Sequence, residues 1–339
     1  MQKNNLTIKL DHGAGGFASW ELLKKIRGIL KFKGDWTNCE DDGAVFDLGK
    51  EKLVFTTDAF IVDPIFFPGG DIGKIAMSGT INDLAVMGAK PLGISLSMVI
   101  EEGFPQKDLM KIIKSIDQVS RESGVPVVTG DTKVMEKGKL DKIEITTAGV
   151  GITKKIIRNN GAQVGDFIIA SGDLGEHSIA LLSKRFNYQT KIKSDGQPLN
   201  KILEEVGQYL NVCKDPTRGG LAANIVEIAN KSKVKIILDE KNLPYKKETI
   251  AVSELLGIDI FSLASEGRFI ASVSAVNIKK VLEILKQFND EALKDRKLPT
   301  GQAKIIGEVK KGKGVFLKTK TGGVRSIDMP TGKLIPRIC

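Results

Sequence analysis

Residues 79–89 read GTINDLAVMGA, an apolar run that contains the pair Asn82-Asp83. This run belongs to a helical pattern near 71–88, and a second helical pattern follows near 106–123. Short strand patterns surround the two helical ones, at 44–46, 53–57, 94–99 and 143–148. Strands interleaved with helices in this way predict a mixed α/β domain in the first half of the chain.

The chain has 339 residues, of which 41% are hydrophobic and 27% charged, enough for two domains with a core each. A glycine-rich turn at 12–16 (HGAGG) precedes a helical pattern for which Ser19 is a suitable N-cap. Further on, strand patterns occur at 167–170 and 235–238, and helical patterns occur after Gly219-Gly220 and near 277–289. We therefore predict an N-terminal segment and helix at 1–35, a first domain at 36–153 and a second α/β domain at 154–309. The remaining residues, 310–339, are rich in Gly, Lys and Thr, which favours a mobile tail.

Composition argues against several classes of protein. The net charge of +10 comes from dispersed lysines, and with only 6% aromatic residues there is no stacking surface for nucleic acid. No run approaches the roughly 20 apolar residues of a membrane helix, and the N-terminus lacks a signal peptide. Three scattered cysteines make neither a disulfide framework nor a CxxC metal site. We expect a cytoplasmic protein that binds neither nucleic acid nor membrane.

Acidic residues recur beside glycines at five places along the chain. The five motifs are Asp41-Asp42-Gly43, Thr57-Asp58, Asn82-Asp83, Thr129-Gly130-Asp131-Thr132 and Asp215-Pro216-Thr217-Arg218-Gly219-Gly220. Each alone is explained as an ordinary turn, since Asp, Asn and Gly dominate turns. Together they offer hard oxygen ligands and close backbone approach, which suit magnesium and phosphates. No Walker motif and no GxGxxG after a strand is present, so a nucleotide site here is of another type.

Four stretches together resemble the HypE family of hydrogenase maturation proteins. They are 41–45 (DDGAV), 79–89, 129–133 (TGDTK) and the terminal 336–339 (PRIC). HypE proteins belong to the ATP-binding superfamily of aminoimidazole ribonucleotide synthetase and selenophosphate synthetase. The resemblance covers essentially the whole chain, and the terminal Pro-Arg-Ile-Cys selects HypE within the superfamily.

The resemblance implies a PurM-like α/β architecture of two domains. The N-terminal mixed α/β domain would pair through its strands into a homodimer with a β-barrel-like interface. The C-terminal domain would be an α/β sandwich, and ATP with Mg²⁺ would bind between the domains. In this family the carbamoyltransferase HypF places a carbamoyl group on the C-terminal cysteine. The family enzyme then uses ATP to dehydrate the thiocarboxamide to a thiocyanate, whose cyanide passes to iron on the HypC-HypD scaffold for [NiFe] hydrogenase.

The same resemblance assigns roles to residues. Asp42, Asp83 and Asp215 would hold magnesium. The nucleotide site would be formed by Asp41, Asp42, Gly43, Asp58, Asn82, Asp83, Thr129, Gly130, Asp131 and Thr132, although Asp41 is equally explained as a turn residue. Cys339 would carry the substrate, which agrees with the fact that an exposed free thiol oxidises unless it has a use.

Two residues match family positions proposed for acid–base chemistry, Glu266 and Lys133. Both have simpler explanations, since Glu266 is equally able to cap a helix or pair with Arg268, and Lys133 to bind a phosphate only. Cys39 and Cys213 are interpreted as packing residues. His12 is assigned to the glycine turn, with a phosphate contact as the alternative, and His177 to the start of a helix.

Two other functions remain open. One is an ATP-dependent synthetase or kinase of the same fold that acts on a small molecule, such as a thiamine-phosphate kinase-like enzyme. The other is a nucleotide-gated scaffold in metallocentre assembly, which would bind partner proteins through its tail.

Overall fold

The computed structural model describes residues 7–294, 301–331 and 335–339. Its helices are α1 Phe17–Ile29, α2 Ile72–Val86, α3 Gln106–Ser123, α4 Glu176–Arg185, α5 Asn200–Val206, α6 Gly220–Ser232, α7 Lys247–Leu256 and α8 Ile278–Lys294. Its strands in the first half are β1 Ala44–Asp47, β2 Lys52–Phe60, β3 Phe66–Phe67, β4 Gly70–Asp71, β5 Lys90–Glu101, β6 Val127–Met135 and β7 Ile143–Thr153. Those in the second half are β8 Phe167–Ala170, β9 Leu210–Lys214, β10 Lys235–Asp239, β11 Ile270–Val273, β12 Lys304–Lys310, β13 Gly314–Lys318 and β14 Val324–Ile327.

The first half of the chain is a five-stranded sheet in the order β1-β2-β7-β5-β6. Its neighbours pair antiparallel except β5 and β6, which run parallel. Helix α2 packs on this sheet and on α3, and it is buried on almost all sides. Gly73 permits the close packing of the two helices, because a Cβ there would lie 2.6 Å from the backbone oxygen of Ile112. Because α2 is buried in the apolar core, its position is fixed, and so is the position of Asp83 near its C-terminal end.

The second half contains a seven-stranded sheet in the order β14-β13-β10-β12-β8-β11-β9. Helix α6 belongs to one apolar cluster on this sheet, while α5 and α8 belong to another. The second cluster also includes Ala85 and Val86 of α2, so the core is continuous between the two halves. The arrangement is therefore helix layers around two sheets, with α2 at their junction.

Most of the predicted elements are confirmed, including the helices near 71–88 and 106–123 and all of the strand patterns named above. Ser19 is not an N-cap, because α1 begins earlier, after Gly16, and the Ser19 hydroxyl instead accepts a hydrogen bond from the Gly15 backbone N–H at 2.9 Å. Residues 129–132 are not a turn, since they lie within β6. Among the described residues no helix is long and apolar enough to cross a membrane.

The predicted mobile tail from 310 is wrong for its first half. Residues Gly314–Lys318 pair with β10 and Val324–Ile327 pair with β13, so both are strands of the second sheet. Val315 and Leu317 are buried and alternate with neighbours that are more accessible, and this burial outweighs the Gly- and Lys-rich composition. The tail's last residues, 335–339, are also packed against the protein, and residues 332–334 lie outside the described residues.

We predict that Leu317→Ala lowers the free energy of unfolding by about 2–5 kcal/mol, the usual cost of truncating a buried leucine. The side chain is 1% exposed, so a cavity would remain. Thermal or urea unfolding measures the change, with Lys318→Ala on the exposed face of the same strand as the control. Equal stability of the two variants would contradict the assignment of β13 to the core.

Candidate active site at the junction of the two halves

Four aspartates meet where α2, β2, the segment before β1 and the end of β9 come together. Carboxylate oxygens of Asp42, Asp83 and Asp215 all lie within 4.8 Å of one another. Asp58 on β2 shares a hydrogen bond with Asp83, and the Thr80 hydroxyl donates to Asp58 at 3.2 Å. Sequence motifs separated by as many as 173 positions thus converge on one place. A cluster of carboxylate oxygens of this kind suits a hard cation such as Mg²⁺.

The cluster holds more negative charge than its surroundings neutralise. Burial and the neighbouring carboxylates raise the pKa of Asp215 to about 7 and hold the pKa of Asp83 well above its usual range. Burial likewise raises the pKa of Asp58. Like charges brought this close favour protonation unless a cation intervenes. The donor set therefore fits a divalent metal ion.

Asp42 differs from the other three because it has a basic partner. Lys214 donates to Asp42 at 2.6 Å and Asn159 donates to its other oxygen at 3.1 Å. Burial opposes ionisation of Asp42, yet these contacts outweigh it and lower the pKa of Asp42. Asp42 is therefore ionised in the absence of any metal. The same lysine also lies 3.3 Å from Glu227.

A cavity of about 720 Å³ opens beside the aspartates. It lies between the N-terminal segment and the second half, and its walls include Gly15, Asp41, Asp42, Asp215, Arg218 and Lys231. The glycine turn closes one side: Gly15 has a φ of +86°, and a Cβ there would lie 2.4 Å from the Cβ of Arg218. Asp41 forms an ion pair with Lys231 at 2.9 Å on the same wall. The volume is in the range of small-molecule sites.

Cys339 lies at the other side of the cluster, beside Glu266. Burial, followed by the nearby Glu266 carboxyl, holds the pKa of the Cys339 thiol well above its usual range. Glu266 is 1% exposed, and burial with Asp215 and Asp195 raises its pKa well above the ordinary value. Cys339, Asp58 and Glu266 together raise the pKa of Arg218, so its guanidinium faces all three. The last residue, the acid and the aspartates share one site.

Asn82 is buried within the junction rather than open to the cavity. Its amide nitrogen donates to the backbone oxygens of Gln197 and Glu266 at 3.1 and 3.2 Å, and its oxygen accepts from the Leu199 backbone N–H at 2.7 Å. These bonds join α2 to the segment that carries Glu266. The side chain is positioned to hold the site together.

The motif 129–133 lies elsewhere. It is on β6, the edge strand of the first sheet, and is exposed along its whole length. Lys133 pairs with Asp131 at 3.0 Å, and the Thr132 backbone N–H donates to the Asp131 carboxylate at 2.8 Å. None of these contacts involves the aspartate cluster of the same chain. Gly43 is a packing position, since a Cβ there would lie 2.8 Å from Val54.

Several site residues were not identified from the sequence. Lys214 directly precedes Asp215, so a basic residue next to an acidic motif was the available signal. The sequence carries no signal for Asn159, because this residue lies in a loop 117 positions from Asp42. Cys213 is fully buried, as the packing interpretation predicted. The imidazole of His12 accepts from the backbone N–H of Lys9 at 2.9 Å, which agrees with the turn interpretation, while His177 contacts the tail.

Known proteins of similar sequence and structure fit this geometry. The family model for AIR synthase related protein matches twice, its N-terminal domain at residues 40–153 and its C-terminal domain at 163–320. Carbamoyl dehydratase HypE of Rhizobium leguminosarum bv. viciae is 41% identical over 348 residues, covering 99% of this chain and 96% of that protein. Among solved structures, a HypE-HypF complex has a TM-score of 0.82 at 39% identity, covering 91% of this chain and 99% of that one.

A structure of hydrogenase maturation protein HypE in complex with ATP has a TM-score of 0.79 at 35% identity and covers 98% of this chain and 100% of that chain. Both AIR synthase domains are thus present in order, and the similarity extends along both chains from end to end. With its two-domain PurM-like fold and 41% identity to a HypE protein over 99% of its length, the chain belongs to the HypE family of hydrogenase maturation proteins.

Proposed function

We propose that the protein uses ATP to dehydrate a thiocarboxamide on its own Cys339 to a thiocyanate, the source of the cyanide ligand of [NiFe] hydrogenase iron. The observation that carries this proposal is the position of Cys339. Its thiol lies beside a buried acid and close to a cluster of carboxylates that could hold a metal ion, which would bring a group on the sulfur next to a bound nucleotide. The proposed dehydratase activity agrees with the name of the Rhizobium relative.

ATP would occupy the cavity beside the aspartates, and Asp42, Asp83 and Asp215 would hold Mg²⁺. The metal would neutralise phosphate charge when bound. Arg218 faces Cys339 and Asp58, so it is suited to the negative charge on the transferred phosphoryl group. Lys214 and Lys231 add positive charge along the cavity wall and are themselves held by Asp42 and Asp41.

The chemistry requires an oxygen to leave and two protons to be removed from nitrogen. The carboxamide oxygen would attack the γ-phosphorus, with loss of ADP and of one N–H proton. Loss of phosphate with the second N–H proton would then leave the nitrile. Glu266 is the carboxyl beside the thiol, and its raised pKa would make its ionised form a strong base for an N–H proton. Its buried Oε1 has no protein partner, so it is available to a substrate amide.

We further propose a homodimer formed through β6. This strand is the unpaired edge of the first sheet, and Val128 and Val134 are 63% and 70% exposed. An exposed apolar edge strand of this kind favours pairing with another chain. Residues 129–133 make no contact with the aspartates of their own chain, so Lys133, Asp131 and Thr132 would act at a nucleotide site only after dimerisation.

Carbamoyl transfer and cyanide transfer need partners that this chain does not contain. HypF would supply the carbamoyl group, in agreement with the solved HypE-HypF complex, and the HypC-HypD complex would receive the cyanide. ATP and a reduced thiol are both required, which places the reaction in the cytoplasm. A nucleotide-gated scaffold is the second candidate, but it leaves the contact between Glu266 and the Cys339 thiol without a use.

The central step is tested by the intact mass of the carbamoylated protein before and after Mg²⁺ and ATP are added. We expect loss of the mass of one water, and no adduct at all in Cys339→Ala. Cys39→Ala is the matched control and should behave as the wild type. A carbamoyl adduct that stays unchanged with ATP would contradict the dehydratase proposal.

The metal proposal predicts a pH-dependent stability. Because the folded pKa of Asp215 is about 7 and that of an unfolded aspartate is near 4, the folded state retains a proton that the unfolded chain loses between these values. Without metal, this group therefore destabilises the folded state increasingly as the pH rises from about 4 to about 7, and its full effect is present above that. Asp215→Asn should raise the melting temperature more at pH 8 than at pH 5.

The same experiment has a metal arm. Mg²⁺ added to the wild type at pH 8 should raise the melting temperature, because it favours the ionised carboxylates, and Asp215→Asn should lose this response. Asp117→Asn on the exposed face of α3 is the control. An undiminished Mg²⁺ response in Asp215→Asn would exclude Asp215 as a ligand.

The dimer proposal predicts that Val134→Glu yields a monomer in sedimentation or light scattering, since it places a charge on the exposed edge strand. Val324→Glu is the matched control, because Val324 is 66% exposed on the edge strand of the other sheet. A wild type that is itself monomeric, or a Val134→Glu variant that stays dimeric, would contradict pairing through β6.

A further inference from the structure

Each of the last three residues of the chain has a backbone oxygen that accepts a hydrogen bond from the protein. The Arg337 oxygen accepts from the Asp63 backbone N–H at 3.2 Å and from the Arg185 guanidinium at 3.0 Å. The Ile338 oxygen accepts from His177 Nε2 at 2.8 Å, and the Cys339 oxygen accepts from the Ile61 backbone N–H at 3.4 Å. The tail therefore lies antiparallel to residues 61–63, and α4 supplies the two side-chain donors.

The hydrogen bonds of His177 fix which of its nitrogens carries the proton. The Ser194 hydroxyl accepts from the Gly196 backbone N–H at 3.1 Å, so its own hydrogen is free to donate to His177 Nδ1 at 2.8 Å. Nε2 then carries the ring hydrogen and points it at the Ile338 oxygen. The imidazole is 0% exposed, and burial lowers the pKa of His177, which keeps the ring neutral. A fully buried donor of one fixed tautomer thus faces the tail.

Arg185 ties the tail to the chain segment beside it. Its Nε donates to the Asp63 oxygen at 2.9 Å, and its Nη2 donates to the oxygens of both Asp63 and Arg337. The planar guanidinium holds these donors in one rigid fork, so the two carbonyls are fixed relative to each other. Arg185 contacts backbone atoms of the tail. The contact therefore depends on the position of the tail along residues 61–63 and not on the side chains of the tail.

The backbone conformation and side-chain contacts of Arg337 and Ile338 also hold the tail in one position. Arg337 has a φ of +53°, a conformation that a residue with a side chain seldom adopts without compensation. Its guanidinium donates to the Ile61 oxygen at 2.9 Å and pairs with Asp141 at 2.6 Å. Ile338 is 3% exposed within the apolar cluster that also includes Phe67 and Leu181. A slip of one residue would move the thiol by about 3.3 Å and turn Ile338 away from its pocket.

We propose that His177 and Arg185 are positioning residues: they fix the register of the C-terminal tail and thereby hold the Cys339 thiol against Glu266. Neither residue touches the thiol. They act through the backbone oxygens of residues 337 and 338, one on each side of the buried Ile338. The proposal goes beyond the proposed function and depends on it only for the kinetic measurement below.

The test measures how often the tail leaves its groove. The probe is iodoacetamide, added to the full-length protein without nucleotide or carbamoyl group, with alkylation of Cys339 followed by peptide mass. Cys39, which is half-buried and distant in sequence, is the internal reference in the same sample. We expect Arg185→Ala and His177→Leu to raise the ratio of Cys339 to Cys39 alkylation by about 2- to 10-fold, the factor for one lost hydrogen bond.

Conservative variants separate positioning from general packing. His177→Gln retains a nitrogen donor for the Ile338 oxygen, so it should stay near the wild-type ratio. Arg185→Lys keeps the charge but replaces the two-nitrogen fork with a single flexible nitrogen, so it should fall between wild type and Arg185→Ala. Lys184→Ala, next to Arg185 but exposed, is the control. Circular dichroism confirms that each variant is folded. If His177→Leu fails to fold, the Arg185 series and His177→Gln decide the question.

An unchanged alkylation ratio in folded Arg185→Ala would overturn the proposal, as would a His177→Gln ratio equal to that of His177→Leu. A second measurement uses carbamoylated protein in single turnover with ATP. The positioning variants should lower the rate constant of water loss and leave the KM for ATP unchanged. Because the alkylation assay needs no turnover, a failure of the proposed function would leave its outcome intact, so the two failures are distinguishable.

Discussion

The side chain of Asn82 makes three hydrogen bonds to the backbone of the second half of the chain, and the candidate site is built around that contact. Asn82 immediately precedes Asp83 on a helix that is buried on nearly all sides, and one of its bonds goes to the carbonyl of Glu266. A buried amide that lost these partners would leave unsatisfied polar groups at the junction, which is costly. The bonds therefore fix the distance between a proposed metal ligand and the proposed base, although they come from different domains.

The charges of the site follow from this placement. Three aspartates have raised pKa values because burial and like charges outweigh their hydrogen bonds, whereas Lys214 keeps the pKa of Asp42 low. The site is thus poised to accept positive charge with the nucleotide. On its other side, Glu266 and the Cys339 thiol both favour their protonated forms. Glu266 must therefore be ionised before it can take a proton from nitrogen, and once ionised its raised pKa makes it a stronger base than an exposed carboxylate.

Much of the fold could be predicted from the sequence, because α3 and the long strands carry strong periodicity and α2 is a long apolar run. The convergence of Asp42, Asp83 and Asp215 could be expected only through the family resemblance, since no spacing along the chain indicates it.

The structure of the tail was harder to predict from the sequence. Its composition suggested a coil, whereas β13 is held by two buried residues, Val315 and Leu317, and the last residues are held by contacts to backbone oxygens. Every residue has a backbone oxygen, so the sequence of the tail does not indicate which side chains will bind there. His177 and Arg185 were therefore not recognisable as partners of the tail. Asn82 was assigned to the nucleotide site by resemblance, but its hydrogen bonds are visible only once the two halves are folded together.

The proposed mechanism requires that the group on Cys339 reacts directly with the nucleotide bound beside the aspartates. The most direct measurement follows oxygen-18 placed in the carbamoyl group of Cys339 while Mg²⁺ and ATP are added. If the carboxamide oxygen attacks phosphorus at this site, one oxygen-18 atom appears in each phosphate released. If the released phosphate is unlabelled and the oxygen-18 stays on the protein or enters water, the group on Cys339 does not react with the nucleotide. That result would contradict the proposed mechanism.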